Sequence, residues 1–383
     1  MQHQWFPSWA SRWLVVVWVV IATALNLSAQ DPSFSQFYAN RIYLNPAFAG
    51  IEPGITVSGA ARMQWYAVDK GFRTVNFSAE MQLPMVKSGL AIHVLNNTEG
   101  IGNLTTNQAG LVYSYTLPGK NNNFHFGIEG RLTQKSIDWS QLVFTDQIDK
   151  VYGNIYASTM TPVNDQVLFG DVDFGFVWRN DGGIKIKHLP GSIRSHLGVS
   201  FNHFPNLFRG AADGNDSFLN MDGRVAPRTT IHGGMIIPIT FFRGKGLDIA
   251  LSPNFKLDNQ GYRFMSFSEN ITVGTFGLYA LVSDFYVGLL YQNRFYAPSH
   301  LHTDALIFTV GGYTATGKKG DTRSPNLFYG ISVDLNNSGL GALAGSVFEL
   351  TFRYRFDANL GNGGRQKSGK NARGRILDCK SFF

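Results

Sequence analysis

Phe348-Glu349-Leu350-Thr351-Phe352-Arg353-Tyr354-Arg355-Phe356 alternates apolar and polar residues without a break. Successive side chains of a strand point to opposite faces, so this stretch has one face of aromatic and aliphatic groups and one face of polar and charged groups. The same period recurs upstream. Phe124, Phe126, Ile128 and Leu132 alternate with His125, Glu129 and Arg131, and Val172, Phe174, Phe176 and Trp178 alternate with Asp171, Asp173 and Arg179. Leu327, Tyr329, Ile331, Val333 and Leu335 do so with Ser332 and Asp334, and Leu247, Ile249, Leu251, Phe255 and Leu257 with Asp248, Ser252, Asn254 and Lys256. Many of these runs approach ten residues, the length of a tilted strand crossing a bilayer and longer than the usual strand of about five or six. Aromatic residues gather near run ends, as in Trp65-Tyr66, Tyr113, Tyr115, Trp139, Trp178, Tyr291 and Tyr354, which suits the girdles of a membrane barrel.

Composition points the same way. The 383-residue chain contains 31 Phe, 15 Tyr and 42 Gly, but only 15% charged residues, against roughly a quarter in soluble domains. The formal charge of +7 does not indicate a nucleic-acid partner. Arg365, Lys367, Lys370, Arg373, Arg375 and Lys380 concentrate it in a tail rather than a groove. The single Cys379 excludes an internal disulfide and any multi-cysteine metal site.

The first 29 residues have the layout of a secretory leader: Arg12, an apolar run from Trp13 to Leu25, and Leu27-Ser28-Ala29 before a cut after Ala29. The apolar run is shorter than the roughly 20 residues of a spanning helix, and no later run approaches that length. A mature chain that crosses a membrane must therefore do so as a closed barrel.

Strands are expected at 55–66, 71–82, 88–97, 106–117, 123–135, 169–180, 194–203, 229–240, 247–257, 263–273, 284–294, 304–315, 326–335 and 346–356. The fold class is all-β: a single transmembrane antiparallel up-and-down β-barrel of about 14 strands, with periplasmic N- and C-termini. The even number follows the rule for bacterial single-chain barrels. Glu269 interrupts the apolar face of the tenth strand. The long connection 136–168, with Asp138, Asp146, Asp149 and Asp165, and the connection 204–228 fall on the outer side, where barrels keep long loops. The division is a cleaved leader at 1–29, an N-terminal segment at 30–54, a barrel at 55–356 and a basic periplasmic tail at 357–383.

Catalytic and metal signatures are missing. Gly317-Lys318-Lys319-Gly320 lies in a turn without the strand–loop–helix context of a phosphate loop. His188, His196 and His203 read as polar barrel residues, with His196 and His203 on opposite strand faces and His188 in a turn. Ser192, His196 and Ser200 can be imagined as a Ser–His pair with a partner for nucleophilic chemistry, but any chain this rich in serine offers such pairs. The reading is that of a non-enzyme with no cofactor and no metal.

The start of the mature chain is more specific. Gln30-Asp31-Pro32-Ser33-Phe34-Ser35-Gln36-Phe37-Tyr38 leads into Tyr43-Leu44-Asn45-Pro46-Ala47-Phe48-Ala49-Gly50, which resembles the opening motif of the PorP/SprF family of the type IX secretion system in Bacteroidetes. Arg62-Met63-Gln64-Trp65, Asn97 to Gly102, Ser114-Tyr115, Asp146-Gln147, Leu251-Ser252-Pro253, Asn337-Ser338-Gly339 and Gly345 to Phe356 are similar as well. So is the ending Asp378-Cys379-Lys380-Ser381-Phe382-Phe383, with Lys380 where the family has proline. The resemblance implies an outer-membrane protein that serves type IX secretion, or secretion and surface attachment of a dedicated large protein with a C-terminal sorting domain, in some members a gliding adhesin. Outer-membrane lipid and other secretion components are the further partners implied.

Within the motif, Phe34, Phe37, Tyr38 and Phe48 are apolar anchors. Gln36, Asn40 and Asn45 can satisfy backbone groups, and Asn45-Pro46 favours a turn. Such a segment sits at the periplasmic mouth or folds into the lumen as a plug. Phe34, Gln36, Phe37, Tyr38, Asn45, Pro46, Gly50, Gln64 and Trp65 are the candidate motif or partner-contact residues. Two other functions remain open: a passive transport barrel for a small hydrophobic or polar solute, and a soluble secreted β-sandwich.

Overall fold

A computed structural model describes residues 31–159, 165–187, 189, 191–204, 225–239, 249–267, 269–296, 300–314, 327–336 and 345–356. The chain divides into Met1–Asp31 and Pro32–Phe383, and the barrel belongs to the second unit. The expected leader, His188 and the basic tail lie outside the described residues.

The barrel strands are β1 (Ile55–Gln64), β2 (Phe72–Leu83), β3 (Ser88–Glu99), β4 (Leu104–Pro118), β5 (Asn122–Ser136), β8 (Gln166–Lys185) and β9 (Ser192–Asn202). They continue with β10 (Arg228–Pro238), β11 (Ile249–Gln260), β12 (Ile271–Val282), β13 (Phe285–Tyr296), β14 (His300–Thr314), β15 (Leu327–Asn336) and β16 (Val347–Phe356). Each pairs antiparallel with the barrel strands before and after it in the chain, and β1 pairs with β16 from Ile55↔Phe356 to Gln64↔Val347. The result is a closed barrel of 14 strands. Closure leaves no barrel strand with an open edge, which is what a bilayer demands of backbone N–H and C=O groups. No described helix is long and apolar enough to cross a membrane. β6 (Ile148–Asp149) and β7 (Gly153–Asn154) form a separate small hairpin inside the long connection after β5.

Burial identifies the two faces. Ile92, Val94, Leu111, Tyr113, Phe126, Ile128, Leu289, Ile331, Leu350 and Phe352 are exposed, while His93, Ser114, His125, Glu129, Ser332, Glu349, Thr351 and Arg353 are buried. The apolar face therefore points outward and the polar face inward, the reverse of a soluble sandwich and the pattern of a membrane barrel.

The fourteen strands fall close to their expected positions, with one exception. The tenth barrel strand, expected at 263–273, is Ile271–Val282. Residues 261–270 make the preceding connection: Met265 adopts a left-handed φ of 52°, Arg263 pairs with Glu269 at 2.6 Å, and Asn270 donates to Asn259 at 2.7 Å. Glu269 thus belongs to a turn and interrupts no strand. Gly274 and Gly277 weaken the period of the true strand; both lie within it against Phe295 and Leu290. His203 also departs from expectation. β9 ends at Asn202, and His203, with φ of 58°, is buried like His196 and bonds Asp171. Alternating parity had put the two histidines on opposite faces, and it fails where the strand stops.

The connection between β5 and β8 is organised by its acids. Asp138 accepts from the Ser140 amide at 3.1 Å, Asp149 from Val151 at 2.7 Å and Tyr152 at 2.9 Å, and Asp146 from Thr159 at 2.6 Å. The Ser140 hydroxyl holds the Asp138 carboxyl below the ordinary aspartate range, and the amides of Thr159 and Tyr152 do so first for Asp146 and Asp149.

Leu289 lies near the middle of β13, opposite Phe308 and Leu278, with its side chain facing outward. Leu289→Arg is expected to destabilise the barrel by about 2–4 kcal/mol, measured by denaturant unfolding in lipid vesicles. Arg at Met85, in the turn after β2, is expected to have no measurable effect.

Candidate functional site

The polar inner wall meets the chain's own N-terminal residues. Residues 34–50 are buried apart from the partly exposed Tyr43, and their partners are inward side chains from around the barrel. This stretch forms a strap across the lumen.

Its local structure follows from its sequence. A single helical turn, α1 (Arg41–Leu44), ends at Asn45, whose extended backbone turns the chain. The Asn45 side chain then accepts from the Ala47 amide at 2.9 Å, and Pro46 opens the short turn Pro46–Phe48. Gly50 follows with a left-handed φ of 62° and no room for a Cβ, since Met81 O and Gly89 Cα would lie at 2.6 Å.

Anchors to the wall are distributed along the strap. The amides of Ser35 and Gln36 donate to the two carboxylate oxygens of Glu349 at 2.7 and 2.9 Å, and the Ser35 hydroxyl donates to Asp334 at 2.5 Å. Arg62 joins this group, 3.0 Å from Asp334 and 3.2 Å from Glu349, and also bonds Ser35. β1, β15 and β16 therefore meet the strap at one ionic cluster. Gln36 accepts from Tyr286 at 3.2 Å and Thr351 at 3.0 Å. Asn45 donates to the strand carbonyls of Phe176 at 3.1 Å and Val199 at 3.0 Å. Ser200 donates to Leu44 O at 2.9 Å and Ser114 to Ala49 O at 2.5 Å.

A second ionic cluster ties down the trailing end. Arg41 lies 2.8 Å from Glu52 and 3.4 Å from Glu80, Arg355 lies 3.8 Å from Glu52, and Glu80 accepts from the Gly50 amide at 2.7 Å. Buried charges persist only when paired in this way.

The apolar strap residues fill the remaining space. Tyr38 packs edge-on to Tyr279 at 4.8 Å and lies 6.3 Å from Phe328, itself stacked on Tyr286 at 5.4 Å. Phe48 lies against the His232 ring at 5.4 Å and the His196 ring at 6.1 Å. Phe34 packs edge-on to Tyr43 at 5.2 Å and in a cluster with Ala60 and Leu95. The Lys256 ammonium lies over Phe37 at 5.7 Å, and Arg228 over Tyr43 at 5.1 Å.

Of the candidate residues, Phe34, Gln36, Phe37, Tyr38, Asn45, Pro46 and Gly50 come together in the strap. Gln64 and Trp65 stand apart. Gln64 ends β1, and Trp65, with φ of 59°, packs edge-on to Phe72 at 4.8 Å in the following turn. Glu80, Asp334, Glu349 and Arg62 hold the strap but carry no local sequence signal for that role. Period two places Asp334 and Glu349 on the polar faces of their strands, but nothing local announces that the four converge. Among the described residues no group of three His, Cys, Asp or Glu could hold a metal ion.

The close approach of strap and wall yields a direct test. A Cβ on Gly127 would lie 2.2 Å from Ala47 N and 2.3 Å from Pro46 C, both backbone, whereas a Cβ on Gly130 would meet nothing within 4 Å. Gly127→Val is expected to expel the strap, seen as faster proteolysis before Ile55 and a lower temperature of heat-modified gel migration; Gly130→Ala is expected to change neither. Asn45→Ala, which leaves buried partners unsatisfied, is expected to cost about 1–3 kcal/mol in the same unfolding assay.

Comparison with known proteins adds family context. Residues 26–354 match a family model described as "Type IX secretion system membrane protein PorP/SprF". No curated protein matches the sequence. Solved structures with some likeness include CdiB from Acinetobacter baumannii at 8% identity and TM-score 0.41, covering 79% of this chain and 60% of CdiB. The CymD monoaromatic hydrocarbon channel follows at 10% and 0.39, covering 84% and 93%, and a deltaS2 mutant of the TodX monoaromatic hydrocarbon channel at 12% and 0.38, covering 83% and 94%. This chain thus spans 60% of CdiB's length, and likenesses this distant carry no functional argument.

Proposed function

The chain belongs to the PorP/SprF family of type IX secretion system membrane proteins, and on that premise we propose that it serves secretion, surface attachment, or both, for one large protein carrying a C-terminal sorting domain. It is an outer-membrane barrel, and in this reading it works by contact and not by catalysis.

The observation that carries the reading is the occupied lumen. Residues 34–50 are packed into it and held by two ionic clusters and by hydrogen bonds to strand carbonyls on β8 and β9. A passive solute channel needs a path past Tyr38, Phe48 and their ring partners, and those side chains are buried. What the barrel offers a partner is its rims and loops. The assignment of cargo and of other secretion components as partners rests on the family. In the same proposal, the leader is removed after Ala29, β16 ends on the periplasmic side, and the basic tail 357–383 enters the periplasm.

Deletion of the gene tests this reading. The expected result is loss of one large surface protein from the cell or its release to the medium, with uptake of small solutes unchanged. Normal display of every sorting-domain protein on the deletion strain would refute it.

A further inference from the structure

The strap enters the lumen from an end of the barrel that an even strand number does not suggest. The rim where β1 begins at Ile55 and β16 ends at Phe356 is the entry rim, and the opposite one is the far rim. Residues adjoining β1 should lie near the entry rim, and the trailing end of the strap does. Gly54 O accepts from Gln82 N at 3.2 Å, one residue from the end of β2, and Glu52 reaches Arg355, one residue from the end of β16.

The leading end is elsewhere. Pro32 O accepts from the Tyr43 hydroxyl at 2.5 Å, and that hydroxyl accepts from Arg228, the first residue of β10, at the far rim. Ser33 accepts from Lys256 at 3.0 Å, near the far end of β11. Ser35 is held by Arg62, Asp334 and Glu349, each two residues from the far end of its strand. Chain length permits such a course. Twenty or so residues extend to ~70 Å, about twice the ~33 Å of a ten-residue strand, so the strap can cross the barrel once with a partial reversal at α1.

The two rims also differ in their connections. The two longest, 137–165 and 203–227, join strand ends at the far rim, while 84–87, 119–121 and 283–284 are tight turns at the entry rim. Outer-membrane barrels keep short turns on the periplasmic side and long loops outside.

We propose that the strap threads the whole barrel and presents its leading end, Pro32 and Ser33, at the cell surface, on the opposite side of the membrane from the end of β16, with Phe34 buried just below. The start of the strap is then an extracellular surface element beside the long loops, with exposed Ser33 set among Tyr43, Arg228, Lys256 and Asp258. A partner that docks outside meets it directly. This rests on the outer-membrane reading but not on the identity of any cargo.

Site-directed labelling tests it. Ser33→Cys, Val151→Cys in the long loop and Met85→Cys in an entry-rim turn are each made with Cys379→Ser, and heat-modified migration selects the folded variants. Val151 and Met85 are 80% and 87% exposed. A membrane-impermeant maleimide on intact cells is expected to label the Ser33→Cys and Val151→Cys variants at least tenfold more than the Met85→Cys variant, which labels once the outer membrane is permeabilised. Labelling of the Ser33→Cys variant only after permeabilisation, together with Met85→Cys, would overturn the proposal, and so would no labelling in either state. The gene-deletion result is independent of both outcomes.

Discussion

The pairing of Ile55–Gln64 with Val347–Phe356 is the constraint on which everything else depends. Hydrocarbon offers no partner to a backbone amide, so a sheet inside a bilayer must close on itself. Here closure joins the first strand to the last, across nearly the whole sequence. At its far end the seam is reinforced by ions: Arg62 of β1 faces Glu349 of β16 and Asp334 of β15. At the entry end Arg355 of β16 reaches Glu52, which lies just ahead of β1.

Closure creates a second requirement. Fourteen strands enclose a lumen whose wall is lined with His, Asn, Glu, Asp and Arg, and buried polar groups are costly unless satisfied. The strap meets this with material from the chain itself. It supplies backbone amides to Glu349 and Glu80 and amide donors to strand carbonyls, and it places rings against Tyr279, Tyr286, Phe328 and His232. Seam and strap are thus coupled, because Ser35 and Arg41 bind the residues that flank the β1–β16 junction. Losing the strap exposes paired charges, and breaking the seam releases the strap.

A plugged barrel with an apolar outer face has few ways to act. Its outer face is apolar and its lumen holds its own chain, so in the proposed reading recognition falls to rims and loops. The acids of the long connection fit this division. Asp138, Asp146 and Asp149 spend their oxygens on local amides and hydroxyls, while Val151, Tyr152, Ile155 and Tyr156 are exposed beside them.

The sequence alone determined the strands and their two faces, because facing is written in period two and each strand carries that signal within itself; that the polar face lines a lumen was decided by closure. Glu349 between Phe348 and Leu350 shares the face of Thr351 and Arg353 wherever its strand lies. The signal failed where it was diluted, at Gly274 and Gly277 in β12, and where a strand stopped, at His203. The motif residues Gln36, Asn45 and Pro46 were likewise legible as a compact unit, since capping and turn formation act over a few positions. Only the tertiary structure decided what that unit holds and where it starts. Ser35 meets Glu349, Asn45 meets Val199, and Tyr43, which holds Pro32, meets Arg228 at the rim opposite Phe356. Such contacts join residues that are hundreds of positions apart or more than a hundred, and they exist only once closure has set the radius and register of the wall.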